Sequence, residues 1–214
     1  IFKKGDSYQD AWKKIKEFEN KGLTKSALES VESIYVQAKK DSNYAQIIKS
    51  IIYKQKYKVS LEENAYKKIT EELKAEIDSA YYPLKPVLHS MLADVYNSFY
   101  NTNRWKFYNR TNTVGFDPED INTWSLEKIL NEIRNEYLLS LENSDSLKRT
   151  PLGFYDEILL GDSIARKYRP SLYDFLGHRA VDFFTNSQAQ ITNAATTFKI
   201  DKKEYFDSYD EFVK

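Results

Sequence analysis

The sequence predicts an all-α fold, in which antiparallel helical hairpins pack around one central apolar helix. Apolar residues recur at helical spacing along most of the chain. Only 6 glycines and 5 prolines occur in 214 residues, too few for the many tight turns of an all-β domain. Segment 86–111 contains two overlapping apolar stripes, so as a helix it needs cover from more than one side.

Two amphipathic helices are predicted first. Ser7 can cap the first, and Gly22 can end it in a left-handed conformation. Thr24 begins the second after a turn so short that the two helices must be antiparallel. The inward faces are expected to contain Tyr8, Ala11, Trp12, Ile15 and Phe18 in the first helix, and Ala27, Leu28, Val31, Ile34, Tyr35 and Ala38 in the second.

A second hairpin follows the polar break at 41–43. Its first helix is predicted from Tyr44 to near Tyr57, and Ser60 with Glu63 has the spacing of a capping box for the next. That next helix has a mixed-sign charged outer face. Its inward residues are Ala65, Tyr66, Ile69, Leu73 and Ile77.

The central helix comes next, and polar amides interrupt its periodicity from residue 101, so we expect a long ordered loop over 101–122. Another helix follows Thr123 or Ser125, and the irregular segment 143–161 is expected to contain a short helix around 154–160. The last apolar helix begins after Ser171, and Gly177 within it suggests close contact with another backbone.

Residues 1–185 are therefore predicted to form one helical domain, and residues 186–214 a loop or linker leading toward a following domain. The hairpins begin near Tyr8, Tyr44 and Pro83, close to the ~34-residue period of tetratricopeptide repeats. Trp12 and Ile15 fit that motif, whereas Lys16 replaces its small residue. Because the chain starts at Ile1 and not at Met, we expect it to be part of a longer protein.

Composition excludes several classes of function. Lys plus Arg and Asp plus Glu are both 32, and no long basic run is present, so nucleic acid is not an expected partner. The absence of cysteine excludes thiolate catalysis and cysteine-ligated metals. No apolar run is long enough to predict a membrane span. We expect no enzymatic activity and no cofactor.

Two groups of residues could still form a site. Asp174, His178 and Asp182 lie four apart on the last helix and could hold a divalent cation, although such a ladder more often joins a hydrogen-bond network. His89 lies among apolar neighbours without an activating residue nearby in sequence, which favours a packing role.

The second group mixes aromatic rings, cations and amides, a chemistry that binds sugars or peptides but also anchors helix ends. This predicted binding segment consists of Arg104, Trp105, Phe107, Tyr108, Asn109 and Arg110. It supports an alternative function, a glycan- or peptide-binding helical module.

Four ordered blocks carry a family resemblance: KGLTKSALESVESIY, LHSMLADVYNSFYNTNRWKFYNRT, DINTWSLEKI and RPSLYDFLGHRAVDFF. Together they resemble the N-terminal helical region of large alpha-2-macroglobulin-like proteins of Bacteroidetes. The resemblance implies a secreted protein, periplasmic or attached to the outer membrane, in which a helical module precedes macroglobulin β-domains.

Members of that wider family trap proteases by means of a bait segment and, in many cases, a cysteine thioester. This chain has no cysteine, so no functional residue of the family can be carried onto it. The resemblance therefore implies a non-catalytic scaffold or interaction module, whose partner is either the β-domains of the same chain or another envelope protein.

Overall fold

The computed structural model describes residues 7–108, 116–159 and 163–185, and in these ranges the chain is all helical. The helices are α1 (Tyr8–Asn20), α2 (Thr24–Lys40), α3 (Tyr44–Leu61), α4 (Ala65–Ser79), α5 (Leu84–Tyr108), α6 (Leu126–Ser140), α7 (Ser144–Arg149), α8 (Ser163–Tyr168) and α9 (Leu172–Thr185). Short 3-10 turns lie at Ile121–Thr123 and Leu152–Tyr155. The predicted fold class is confirmed, whereas the tetratricopeptide-like detail stays a prediction.

The helices form two regions. The first, here called the stack, comprises α1–α4, in which each helix packs mainly against its neighbours in sequence. The second, the bundle, comprises α5–α9, in which α5 and α6 form the most extensive contact and α9 packs against α5, α6 and α7. Helix α5 connects the two regions, because α4 of the stack also packs on it.

The ends of α1 follow the sequence. The Ser7 side chain accepts a hydrogen bond from the Asp10 amide at 3.1 Å. At the other end Gly22 has φ +69°, and the Leu23 amide donates to the Phe18 carbonyl at 2.9 Å. This is the left-handed stop that Gly22 predicted, and it reverses the chain into α2.

The capping box predicted at Ser60 is wrong. Helix α3 continues to Leu61, and the Ser60 hydroxyl donates back to the Tyr57 carbonyl at 2.8 Å. A serine hydroxyl that bonds to an earlier carbonyl is compatible with the last turn of a helix, so the residue does not start a new one. Helix α4 begins at Ala65 without a side-chain cap.

The central helix is confirmed, but it is longer than predicted. It extends to Tyr108 with one non-helical residue, Asn103, whose side-chain amide donates to the Phe99 carbonyl at 3.0 Å. The first part of the predicted loop is therefore helical. The buried apolar residues of α5 are Leu84, Val87, Leu88, Met91, Leu92, Ala93, Val95, Tyr96, Phe99, Tyr100 and Phe107.

Most apolar residues predicted to face inward are buried, within two clusters. A small cluster in the stack contains Ile15, Ala27, Val31, Ile34 and Tyr57. The main core surrounds α5 and includes residues of α3, α4, α6, α7 and α9.

Two predictions about the bundle fail. The apolar periodicity of the sequence places Leu138 and Val181 on inward helix faces, but each is 53% exposed. Gly177 was expected to touch another backbone, yet a Cβ placed there would have no atom within 4 Å. In the described part of the chain, no helix has the length and apolar character that crossing a membrane requires.

Candidate functional site

A groove in the stack is a concave candidate site. Helices α2, α3 and α4 enclose a cavity of about 220 Å³. Its floor contains Ile51, Ile69 and Leu73, each at most 8% exposed. The rest of the lining is Tyr35, Lys54, Gln55, Glu72, Ala75 and Glu76. The groove is thus apolar at the bottom and polar at the rim.

One side of the rim is built on Glu76. Its carboxylate accepts hydrogen bonds from the Tyr35 hydroxyl and, at 2.7 Å, from Lys39 Nζ. Burial, followed by the hydrogen bond to Glu76, raises the pKa of Tyr35 above its ordinary value. Tyr35 therefore stays protonated and connects α2 to α4 near neutral pH.

The other side of the rim is built on Glu72. This carboxylate pairs with Lys58, and Lys54 lies 4.0 Å away. Lys54 Nζ also lies 4.8 Å from the centre of the Tyr35 ring, within range of a cation–π interaction. The charged residues that line the groove, Lys54, Glu72 and Glu76, therefore all have partners within the protein.

Gln55 differs from its charged neighbours. Gln55 is one of the residues that line the cavity, but its side-chain nitrogen is buried and has no hydrogen-bond partner among the described residues. A buried amide donor left unpaired costs about 1–3 kcal/mol of stability.

The residues of the predicted binding segment have different environments in the structure. Phe107 is 4% exposed and packs against Phe99 and Tyr100, with ring centres 6.1 Å and 5.8 Å away. Trp105 is 67% exposed, and Lys106 Nζ lies 5.4 Å from its ring centre. Phe107 is therefore a core residue, and Trp105 is the large exposed ring of this segment.

The other members of that segment are described only in part. Arg104 is half-buried, and Tyr108 is the last residue of α5. Asn109 and Arg110 lie outside the described residues. Among residues 104–107, whose side chains the structure describes, Trp105 is the exposed aromatic ring that supports a surface binding role.

The candidate metal ladder on α9 does not form a cluster. Asp174 caps its own helix, because its carboxylate accepts from the Ser171 amide at 3.0 Å and from the Ser171 hydroxyl at 2.6 Å. His178 and Asp182 are exposed. No three histidine, aspartate or glutamate side chains in the described ranges lie close enough together to hold a metal ion.

His89 has a partner that sequence spacing did not indicate. Its Nδ1 lies 2.7 Å from Glu136 on α6, and both side chains are nearly buried at 13% and 12% exposure. Beside them the Tyr137 hydroxyl donates to Asp94 at 2.6 Å. These hydrogen bonds join α5 to α6, so His89 belongs to a seam between helices.

A second cavity, of about 160 Å³, lies between α3, α5, the segment 155–159 and α9. Its lining is apolar except for Ser90 and Arg179. Arg179 donates to the Ser90 hydroxyl at 2.9 Å and pairs with Asp94, so its polar groups satisfy one another. This cavity offers an incoming ligand less than the groove does.

The groove was not anticipated from the sequence. The helical pattern correctly placed Ile69 and Leu73 inside, but helical periodicity does not specify how far apart α3 and α4 stand. Gln55 stands between Lys54 and Lys56 in α3, so the local sequence does not mark it as part of a groove.

Comparison of the chain with family models, with curated proteins and with solved structures finds no match. Its function must therefore be argued from the arrangement of its own residues.

Proposed function

We propose that this domain is a non-catalytic interaction module that binds a partner polypeptide in the groove between α2, α3 and α4. One observation carries the proposal: a cavity with an apolar floor is held open by a rim whose charges are already paired. A preformed site of this kind binds without the cost of first breaking its own ion pairs.

The remaining chemistry supports binding better than catalysis. The His89–Glu136 and Asp94–Arg179 pairs lie at contacts between helices, where they join α5 to α6 and α9. Each therefore has a structural explanation that requires no substrate. The groove itself contains neither histidine nor serine.

The module is further proposed to be the N-terminal scaffold of a bacterial alpha-2-macroglobulin-like envelope protein, as the resemblance of its four sequence blocks implies. Its partner is then the macroglobulin β-domains of the same chain or a second protein of the periplasm or outer membrane. A tetratricopeptide-like stack would suit this role, because stacked hairpins present concave binding faces.

Site-specific photocross-linking tests the proposal. Ala75 is exposed and lines the groove, so a benzophenone side chain at this position reaches an occupant without disturbing the floor. Glu71 lies one helical turn earlier, is also exposed and does not line the groove, which makes it the matched control.

The native protein with each substitution would be irradiated in its own cells. We expect position 75, and not position 71, to form a cross-link to one defined polypeptide, identified by mass spectrometry. Equal cross-linking from both positions, or none from position 75, would contradict the proposal.

A second candidate function rests on Trp105. An indole that is 67% exposed is unusual for a packing residue and suits stacking on a sugar ring. A glycan array would decide between the two functions: reproducible saccharide binding that Trp105→Ala abolishes and Ala75→Trp leaves intact would favour the second. Lys106 provides a control, since Lys106→Ala removes the neighbouring cation and keeps the ring.

A further inference from the structure

Helix α3 contains one lysine, Lys49, that has no acidic partner in the described ranges. Its other three lysines each lie within 4.0 Å of a carboxylate, as Lys56 does at 2.6 Å from Glu19. Lys49 forms no ion pair of this kind with any described residue. Its Nζ lies instead 4.3 Å from the centre of the Trp12 ring, within range of a cation–π interaction.

The amine of Lys49 keeps contact with solvent. The residue is half-buried, and its Nζ has no hydrogen-bond partner among the described residues. It is nevertheless not one of the fully buried side-chain atoms without a partner, which in the described ranges belong to Ser50, Gln55, Glu62 and Tyr96. A reagent in solution can therefore reach Nζ.

The surroundings of Lys49 favour the neutral form of its amine. Burial lowers the pKa of Lys49, and the negative charge of Glu157 opposes this effect only in part. The Glu157 carboxylate itself accepts a hydrogen bond from Gln46 at 2.7 Å. Because a lysine amine is a nucleophile only when it is neutral, a larger fraction of Lys49 than of a fully solvated lysine can react.

The same surroundings favour one kind of electrophile. The negative charge of Glu157 acts on Lys49, so it repels an anionic reagent such as an acyl phosphate. The Trp12 ring offers an apolar surface beside the amine, against which an acyl group can pack. An uncharged acyl donor suits both features.

We propose that Lys49 is a covalent modification site that takes an acyl group from an uncharged thioester. The neutral amine attacks the carbonyl carbon, a C–N bond forms as the C–S bond breaks, and the proton lost by nitrogen passes to the departing thiolate. The product is an uncharged amide and a free thiol, so the cation–π interaction with Trp12 is lost. Lys49 does not line the groove, and this inference is independent of the proposed function.

Competitive acylation of the full 214-residue chain at neutral pH tests the proposal. The probe is N,S-diacetylcysteamine, an uncharged thioester, and mass spectrometry of proteolytic peptides gives the initial acetylation rate of each lysine. Lys56 is the matched control, because it lies on the same helix, its side chain is 61% exposed, and its hydrogen bond to Glu19 raises its pKa. We expect Lys49 to react at least about threefold faster than Lys56, although it is the less exposed of the two.

Two further measurements connect this rate to the folded structure. In urea both lysines lose their surroundings, so the ratio of their rates should fall to about one. The variant Glu157→Gln keeps an oxygen that can accept from Gln46 and removes the negative charge. We expect it to raise the Lys49 rate about twofold or more and to leave the Lys56 rate unchanged.

Three results would overturn the inference. The first is a Lys49 rate in the folded chain that is no greater than the Lys56 rate. The second is a ratio of the two rates that urea leaves unchanged, since the local sequence and not the fold would then determine it. The third is a Glu157→Gln variant that melts at the same temperature as the parent and acetylates Lys49 no faster.

Discussion

The contact between α3 and α4 and the contact between α5 and α6 differ in the side chains that cross them. Long charged side chains span the first, in the pairs of Lys58 and Lys54 with Glu72. The second closes over an apolar interior that includes Leu92, Ile129 and Ile133, each at most 1% exposed. The contact between α5 and α6 also contains the His89–Glu136 and Tyr137–Asp94 pairs, but these lie beside a fully buried apolar interior, whereas the Lys58–Glu72 pair lies at the rim of a groove.

The largest expected effects come from the same change, leucine to alanine, at both contacts. Leu92 is 1% exposed in the core, and Leu73 is 2% exposed at the floor of the groove. We expect Leu92→Ala to lower the free energy of unfolding by about 4–5 kcal/mol, and Leu73→Ala by only about 2–3 kcal/mol, because the space left by Leu73 opens toward solvent. Urea denaturation measures both free energies of unfolding. Equal losses would show that the groove does not reduce the cost of removing a buried leucine.

Alkaline pH should act on both regions, because burial raises the pKa of tyrosines in the stack, Tyr8, Tyr35 and Tyr57, as well as in the bundle and at its junction with the stack. Burial raises the pKa of Tyr96, Tyr137 and Tyr155, for Tyr137 to about 12, and each is at most 3% exposed. Above pH ~10 these tyrosines ionise in the unfolded chain while they stay protonated in the folded one. Stability is therefore complete below pH ~10 and falls above it, by up to about 1.4 kcal/mol per pH unit for each tyrosine.

Urea midpoints between about pH 8 and pH 11 measure this fall. Tyr96→Phe should reduce the loss of stability per pH unit. An unchanged loss would show that Tyr96 does not contribute to it. The acid limb includes Glu19 in the stack, where the hydrogen bond from Lys56 lowers the pKa of this carboxyl despite partial burial. That contribution is present above pH ~4.3 and is lost as the pH falls below it.

Removing one tyrosine hydroxyl should change stability in opposite directions in the two regions. The Tyr96 hydroxyl is buried without a hydrogen-bond partner in the described ranges, whereas the Tyr35 hydroxyl donates to Glu76. We expect Tyr96→Phe to stabilise the protein by about 1 kcal/mol and Tyr35→Phe to destabilise it by about 1 kcal/mol. Thermal denaturation of both variants measures this, and a loss in both would contradict the assignment of Tyr96 as unpaired.

The smallest expected changes in stability come from substituting two glycines. Gly177 lies in α9 with open space where a Cβ would project, so Gly177→Ala should stabilise the bundle by up to about 1 kcal/mol through helix propensity. Gly22 has φ +69°, so Gly22→Ala should cost about 1 kcal/mol in the turn between α1 and α2. Chemical denaturation measures both changes in the free energy of unfolding. A destabilising Gly177→Ala would show that the space beside Gly177 is not open.

The sequence predicted what depends on periodicity and local chemistry. The stop at Gly22 and the burial of Leu92 and Phe99 follow from residue type and spacing, and both are confirmed. The end of α3 was misplaced because Ser60 can cap a new helix or bond back to an earlier carbonyl, and only the surrounding packing decides between the two.

The candidate site could be predicted less well. Phe107 and Trp105 are neighbours of similar chemistry, yet one is buried and the other exposed, because the helix continues through residues that read as a loop. The partner of His89 comes from 47 residues away on another helix, a distance at which local spacing carries no information. Pairing between helices depends on how they pack, and a pattern of inward faces does not specify it.

The side chain of Gln46 connects distant parts of the chain. It accepts a hydrogen bond from Trp12 at 2.7 Å and donates one to Glu157 at 2.7 Å. During synthesis on the ribosome, therefore, the Gln46 amide that bonds Trp12 gains its second partner only after residue 157 has emerged. In a nascent chain that stalls before this point, the Gln46 side chain would lack its bond to Glu157, although every helix of the stack had already been made.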